Sequence, residues 1–246
     1  EEDKKIIIQI KNEQKVIKSR TGIYSSSIQA SLFVFPNGSY GTPGFEKYIV
    51  SKTQKIIKIV GAKAKSVFSL TSELRKAITG GNVKSSHEER LNNLRKYSKK
   101  YANTIETILS SKDDLCYVYC NLVVGSGLVV FSKILELFGF KKAEPGHVQS
   151  ERPRYAILSS RTTTPNEMVQ LTNDFNNDKN KYGKHIKVIL GSRVISEGFS
   201  FKNIRQIHIL TPFWNYTQTV QAIYRGLRAF SHNALGNDVT VKVYQH

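Results

Sequence analysis

Acidic residues are scarce in this chain. Across 246 residues, 19 Asp and Glu stand against 37 Lys and Arg, for a formal net charge of +18. The shortage runs along the whole length: residues 1–110 carry 20 basic against 9 acidic groups, and residues 111–246 carry 17 against 10. No acidic run offsets the excess, so a polyanion is the natural partner, because neutralising phosphates with Lys and Arg drives sequence-independent nucleic-acid binding. The competing reading is a surface that is simply rich in lysine. Cysteine is scarcer still. Cys116 and Cys120, in LCYVYC, are the only two. If that segment is one strand they share a face about 13 Å apart, too far for a disulfide, so two buried thiols in a reducing compartment are expected.

Long apolar runs are also missing. NLVVGSGLVVFSKILELFGF is interrupted by Asn, Ser, Gly and charge before it could cross a bilayer. The opening EEDKKIIIQI has only a short apolar run after acids, so neither a signal peptide nor a membrane span is expected, and the chain is expected to start inside a longer protein. There is no internal repeat and no low-complexity tract. No complete G-x-x-x-x-G-K-[ST] loop occurs: GAKAKS at 61 and GGNVKS at 80 lack the second Gly beside the Lys, and Asp113-Asp114 precede a strand instead of ending one. The chain alone therefore lacks the phosphate cradle and metal-binding acids of a complete nucleoside triphosphatase. No His/Cys/Asp/Glu cluster has metal-ligand spacing, and no Ser-His-Asp arrangement is legible.

What is present alternates. LCYVYCNLVV, RYAILSS, HIKVILGS, IRQIHIL and DVTVKVYQ read as strands; GSGLVVFSKILELFGF, TPNEMVQLTNDFNN and YTQTVQAIYRGLRAF read as helices. Alternation of this kind implies a mainly parallel sheet flanked by helices, with ligands beyond the carboxyl ends of the strands. Thr162 to Thr164, Pro165 and Glu167 signal a helix start. The first third is less regular. Pro36-Asn37-Gly38 and Gly41-Thr42-Pro43-Gly44 both read as turns, and KSSHEERLNNLRKYSKKYANTIETILSS reads as one long helix with Leu91, Leu94, Tyr97, Tyr101, Ile105 and Ile108 on a stripe. A domain boundary is placed near residue 85.

One segment carries the functional reading. In QAIYRGLRAFSH, Gln221, Arg225 and Arg228 are four and three apart, so on a helix they fall within roughly a 60° arc, while Val220, Ile223, Leu227 and Phe230 take another flank. KVILGSRVISEGFSFKNIRQIHILTPFWN followed by TQTVQAIYRGLRAFSH resembles motifs V and VI of superfamily 2 helicases and translocases. Motif VI there is Q-x-x-G-R-x-G-R, and Tyr224 and Leu227 stand here where the family usually has Gly. Within that group the chain is most similar to the ATPases of large cytoplasmic DNA viruses, which include the small subunit of the poxvirus early transcription factor. The S-E-G of motif V, the strand before FWN, the S-H after motif VI and the FVFPNGSYG block suggest it.

The resemblance implies a second RecA-like lobe at 85–246, with 1–84 a family-specific insertion or linker: an α/β fold with a mainly parallel sheet and an irregular N-terminal region. It implies Arg228 as an arginine finger, Arg225 as a second γ-phosphate contact and Gln221 as a link to the nucleotide or the partner lobe. Glu197 and Gly198 would sit near the ribose. Ser192 of motif V, Asn121, Ser126 and Gly127 of motif IV, and Ser160 and Arg161 after the next strand would touch the nucleic-acid backbone. Phe213 and Trp214 could stack on a base but read better as closing the core, and His208 reads as a packed core histidine. ATP with Mg²⁺ held by a missing first lobe, DNA or RNA, that first lobe and a viral RNA polymerase are the implied cofactors and partners. The implied setting is intracellular, virion and host cytoplasm if viral, with no membrane partner. The fragment alone is expected to hydrolyse nothing. The alternative is a non-catalytic basic module derived from such a lobe; a doubly wound enzyme acting on its own lacks a Gly-rich first turn. If the charge excess meets a polyanion, affinity for nucleic acid in a filter-binding titration should fall steeply between about 50 and about 200 mM salt, and a flat response would contradict it.

Overall fold

The computed structural model describes residues 24–54, 65–82, 84–146, 151–192, 199–211, 216–236 and 239–246. Helix α1 covers 24–32. The chain then turns through Pro36-Asn37-Gly38 as expected, with the Gly38 N–H donating to the Phe35 carbonyl at 2.8 Å and Gly38 at φ +79°. The second expected turn is instead the start of α2 (Gly41–Tyr48). Pro43 is tolerated there because a first-turn residue has no intrahelical use for its N–H. Gly44 is required there because a Cβ would collide with the Phe35 ring. Strand β1 (Ile49–Gln54) pairs antiparallel with β2 (Lys65–Leu70), and α3 (Ser72–Thr79) follows, capped by Thr71 and ended at the left-handed Gly80.

The long helix expected next is two, α4 (His87–Arg95) and α5 (Lys99–Ser110). Ser98 divides them: its backbone is extended, its side chain accepts the Tyr101 N–H at 3.0 Å, and its hydroxyl donates to the Leu32 carbonyl. A side-chain cap replaces a helical bond and starts a new helix. The apolar stripe survives the break, because Leu91, Leu94, Tyr101, Ile105 and Ile108 are all buried.

Regular alternation then sets in: β3 (Leu115–Tyr119), α6 (Leu128–Glu136), β4 (Lys141–Lys142), β5 (Arg154–Leu158), α7 (Pro165–Asn176), β6 (Val188–Gly191), β7 (Ile204–Ile209), α8 (Tyr216–Tyr224) and β8 (Lys242–Gln245). The six strands form one sheet in the order β4-β5-β6-β3-β7-β8, parallel at every pairing. This is a RecA-like α/β arrangement. The short β4 was not legible in the sequence. The start of α7 was: Thr164 and Glu167 form a reciprocal capping box with Pro165 in the first turn.

Period-two alternation assigns the faces. Cys116, Val118 and Cys120 face a core built with α5 and α6, while Leu115, Tyr117 and Tyr119 face one built with Met168, Leu171 and Phe175 of α7 and Ala222 of α8. The first core also takes in Leu32, Phe33, Phe35, Tyr48, Leu74 and Ile78. Phe33 stacks on Tyr101 at 5.8 Å, and Tyr101 meets Phe131 of α6 edge-on at 4.9 Å. The apolar packing is therefore continuous across residue 85. No helix among the described residues is long and apolar enough to cross a membrane.

Gly127 caps α6 where a Cβ would strike the Leu122 carbonyl. Backbone cannot yield as a side chain can, so Gly127→Ala should destabilise the fold by about 3 kcal/mol. A clear drop in the thermal unfolding midpoint is expected.

Candidate functional site

Helix α8 stops at Tyr224, short of the expected Phe230, so Arg225 and Arg228 do not lie on a helical face with Gln221. The chain tightens into three-residue bonds, with Gly226 N–H to Ile223 O at 3.0 Å and Leu227 N–H to Tyr224 O at 3.4 Å, and then leaves helical geometry. Gly226 lets it settle on β7, because a Cβ would come within 3.1 Å of Ile207 and 3.3 Å of Ile204. The expected convergence is nevertheless met by the turn. Gln221, Tyr224, Arg225, Leu227, Arg228 and Ala229 line one open pocket of about 550 Å³.

The two arginines differ within it. Arg228 is exposed, and among the described residues no side-chain hydrogen bond or ion pair engages it. Arg225 is half-buried. Its carbonyl accepts the Phe201 N–H at 3.1 Å, and its charge pulls down the Tyr117 phenol, which burial pushes up. Of the apolar flank, Ile223 and Leu227 pack on the core as expected, but Phe230 is 83% exposed. It lies beyond the end of the helix, so helical periodicity does not apply to it.

The nucleic-acid candidates belong to a different edge. Register places Leu158, Gly191, Tyr119 and Ile209 side by side, so the residues after them form one carboxyl rim. Ser160 and Arg161 after β5 and Asn121 after β3 are exposed on that rim. The Asn121 N–H donates to Thr211 Oγ1 at 2.7 Å, which fixes the loop after β3 to the end of β7. Thr211 itself went unnoticed in the sequence, although a hydroxyl closing an apolar strand was its signal. Ser192 after β6 is buried, and its hydroxyl has no hydrogen-bond partner among the described residues. Glu197, Gly198, Phe213 and Trp214 lie outside the described residues.

Ser126 and Gly127 are corrected by the structure. Ser126 is fully buried: its hydroxyl donates to the Phe33 carbonyl at 2.7 Å and accepts the Gly41 N–H at 3.0 Å, and its own N–H donates to Gln29 Oε1 at 3.1 Å. Tyr101 donates to the carbonyls of both Ser126 and Gly127. Ser126 spends its side chain on holding the N-terminal segment, and Gly127 is buried with its carbonyl taken by Tyr101 and by the Phe131 N–H at 3.1 Å, so both positions serve packing. The motif VI turn sits by Phe201, Ile204 and Ile207 at the start of β7, whereas the rim residues sit past its end, so one strand separates the two candidate surfaces. A further cavity of about 460 Å³ between β2, α6, β5 and α7 has its lysines engaged, Lys133 on Glu136 at 2.6 Å and Lys142 on the Thr162 carbonyl at 3.3 Å.

A family model, the helicase conserved C-terminal domain, matches residues 99–230, from the start of α5 through the arginine turn. The chain belongs to that family. Residues 99–230 are its superfamily 2 helicase C-terminal lobe, of the kind found in large DNA viruses. "Putative helicase 087L" of Invertebrate iridescent virus 3 is 42% identical over 230 residues, 91% of this chain and 21% of that protein. "Putative ATP-dependent RNA helicase" of Heliothis virescens ascovirus 3e is 32% identical over 226 residues, 89% and 22%. "Nucleoside triphosphatase I" of Melanoplus sanguinipes entomopoxvirus is 28% identical over 207 residues, 80% and 28%. The chain thus spans 21–28% of the length of these relatives.

Titratable groups inside the helicase lobe behave as structure rather than chemistry. Cys116 and Cys120 are buried, form no disulfide, and are pushed up to about 12 by burial. Asp114 is pushed up by burial, but hydrogen bonds from Gln206 and Ser111 and the charges of Arg205 and Lys187 outweigh that and hold it below the usual carboxylate range. His208 is fully buried and stacks on Tyr244 at 4.8 Å. Gln206 gives its amide N–H to Asp114, which leaves its oxygen for His208 Nε2 at 3.3 Å, and His208 Nδ1 faces His246 Nε2 at 3.1 Å. It is the packed core histidine expected. Burial, and then His246, lower its pKa to about 3, and burial also lowers that of His246.

A histidine with a depressed folded pKa stabilises fully above its unfolded value near 6.5 and progressively less as pH falls from there toward 3. Urea midpoints should therefore drop between pH 7 and pH 5, with His208 contributing about 1.4 kcal/mol per unit below 6.5. His208→Gln should flatten that slope.

Proposed function

We propose that this lobe supplies the trans-acting arginines of an ATP-dependent nucleic-acid helicase or translocase, closing on a triphosphate held by a first lobe of the same polypeptide. The observation that carries the reading is one open pocket in which Gln221, Arg225 and Arg228 converge, with the Arg228 guanidinium exposed and unengaged among the described residues. Phosphoryl transfer spreads negative charge over the γ-phosphate oxygens, and a guanidinium arriving from across an interface neutralises it at the moment of reaction. A planar five-donor group suits that task better than an ammonium. Arg228 is the finger, half-buried Arg225 a second γ-phosphate contact, and Gln221 the link to nucleotide or partner lobe. The pocket's charged side chains are both arginines and its lining holds no carboxylate among the described residues, which fits a triphosphate and not Mg²⁺. The metal ion and the base for the attacking water are assigned to the first lobe.

The departures from the family pattern are compatible with this. Leu227, in a position usually held by Gly, packs on the core, and Tyr224 is 59% exposed at the pocket wall and leaves it open. Names such as ATP-dependent RNA helicase and nucleoside triphosphatase among the relatives support the same class of activity. DNA or RNA would run along the carboxyl rim, on the exposed Asn121, Ser160 and Arg161, with the +18 charge supplying sequence-independent affinity, and the buried Ser192 would support that rim from below. Ser126 and Gly127 are left out of that track. Residues 85–246 constitute the lobe and residues 1–84 a family-specific insertion, whose described part shares the lobe's core. A viral RNA polymerase is a further partner consistent with the viral relatives, and the isolated fragment is inactive.

In the full-length protein, Arg228→Ala should lower ATP turnover by about three orders of magnitude while nucleic-acid affinity stays within a few fold. Unchanged steady-state turnover would refute the finger role.

A further inference from the structure

The turn that carries Arg228 is fastened on both sides to the leading end of β7. On one side the Arg225 carbonyl accepts the Phe201 N–H at 3.1 Å. On the other, the Ser231 carbonyl accepts the Asn203 N–H at 2.9 Å, and the Ser231 N–H closes back onto the Arg228 carbonyl at 3.1 Å. His232 then joins the turn to the strand. Its Nε2 lies 2.6 Å from the Ile204 carbonyl and its Nδ1 2.9 Å from Ser231 Oγ. A carbonyl only accepts, so Nε2 carries a proton and donates to it, while Nδ1 pairs with the serine hydroxyl, which can donate or accept. Both ring nitrogens are engaged, and Ser231 is buried.

Between these anchors the backbone is strained. Phe230 has φ +62°, a left-handed conformation that a bulky L-residue rarely adopts. Such conformations persist only where the surroundings over-determine them. The Phe230 ring is 83% exposed, so packing of the ring does not account for the strain. What the strained turn does fix is the path of Arg228, two residues earlier.

We propose that His232, acting with Ser231, is a positioning residue for Arg228. It locks the turn after α8 to β7 so that the guanidinium is already aimed when the lobes close. This rests on the reading of Arg228 as the finger. Preorganisation of this kind lowers the barrier without strengthening ground-state binding, so its loss appears in kcat rather than KM.

The test is a set of full-length variants assayed for kcat and KM of ATP hydrolysis, with folding checked by circular dichroism. His232→Ala should lower kcat by roughly ten- to a hundredfold with KM for ATP within a few fold. His232→Gln, which keeps an N–H donor, should recover most of the loss. Placed on Arg228→Ala, His232→Ala should add nothing, because a residue acting through another is not additive with it. Thr172→Ala, which removes a buried α7 hydroxyl bonded to the Met168 carbonyl at 2.8 Å, serves as a control for general destabilisation and should leave kcat unchanged. Parental kcat in His232→Ala, or a full additional loss on top of Arg228→Ala, would overturn the clamp. If Arg228→Ala alone keeps parental turnover, it is the finger reading that fails. Should His232→Ala not fold, Ser231→Ala removes one hydroxyl and carries the same comparison at smaller amplitude.

Discussion

The parallel ladder joining β6, β3 and β7 fixes where every candidate group can be. Pairing Tyr119 with both Gly191 and Ile209 brings the ends of the three central strands level, and Leu158 of β5 joins them through Gly191. Whatever follows those residues must emerge on one rim, which is why Asn121, Ser160, Arg161, Ser192 and Thr211 are neighbours although they come from four loops. The same ladder sets the opposite rim. Helix α8 runs back along β7, and its turn arrives beside Phe201 and Ile204, at the far end of that strand. A single register thus assigns phosphate-backbone candidates to one edge and triphosphate candidates to the other.

Much of this was legible because the lobe follows period rules closely. Five strands and three helices of the alternating region were placed from apolar runs, and the Thr164–Glu167 capping box was visible as a spacing. The convergence of Gln221, Arg225 and Arg228 was also legible, though for an incomplete reason. Helical spacing put them on one arc, while the structure brings them together by ending the helix at Tyr224 and folding the next residues over Gly226. A sequence window registers the apolar period of Ile223 and Leu227 but not the strand beneath, whose Ile204 and Ile207 stop the helix from continuing.

The failures have a common origin in contacts distant in sequence. Ser126 looked like a phosphate ligand because it opens a helix after a strand, but Phe33 and Gly41, more than eighty residues away, consume its hydroxyl. Ser98 looked like one more polar position in a long helix, but the Leu32 carbonyl gives its hydroxyl a partner and its side chain caps a new one. Gly41 to Gly44 read as a turn on local propensity but open α2, and the glycine at 44 serves the Phe35 ring, which lies where a Cβ would be. In each case the first third of the chain, least regular in pattern, supplies the partner that local rules cannot anticipate.

That first third shares its core with the lobe. Phe33, Tyr101 and Phe131 form one line of aromatic contacts running from the N-terminal segment through α5 to α6, with Ser126 bonded across the same junction. A hinge between them would have to expose those rings to water and leave the serine's partners unsatisfied. Any swing of the lobe must therefore carry α2, β1, β2 and α3 along as ballast, so a displacement of the sheet is delivered wherever those elements reach.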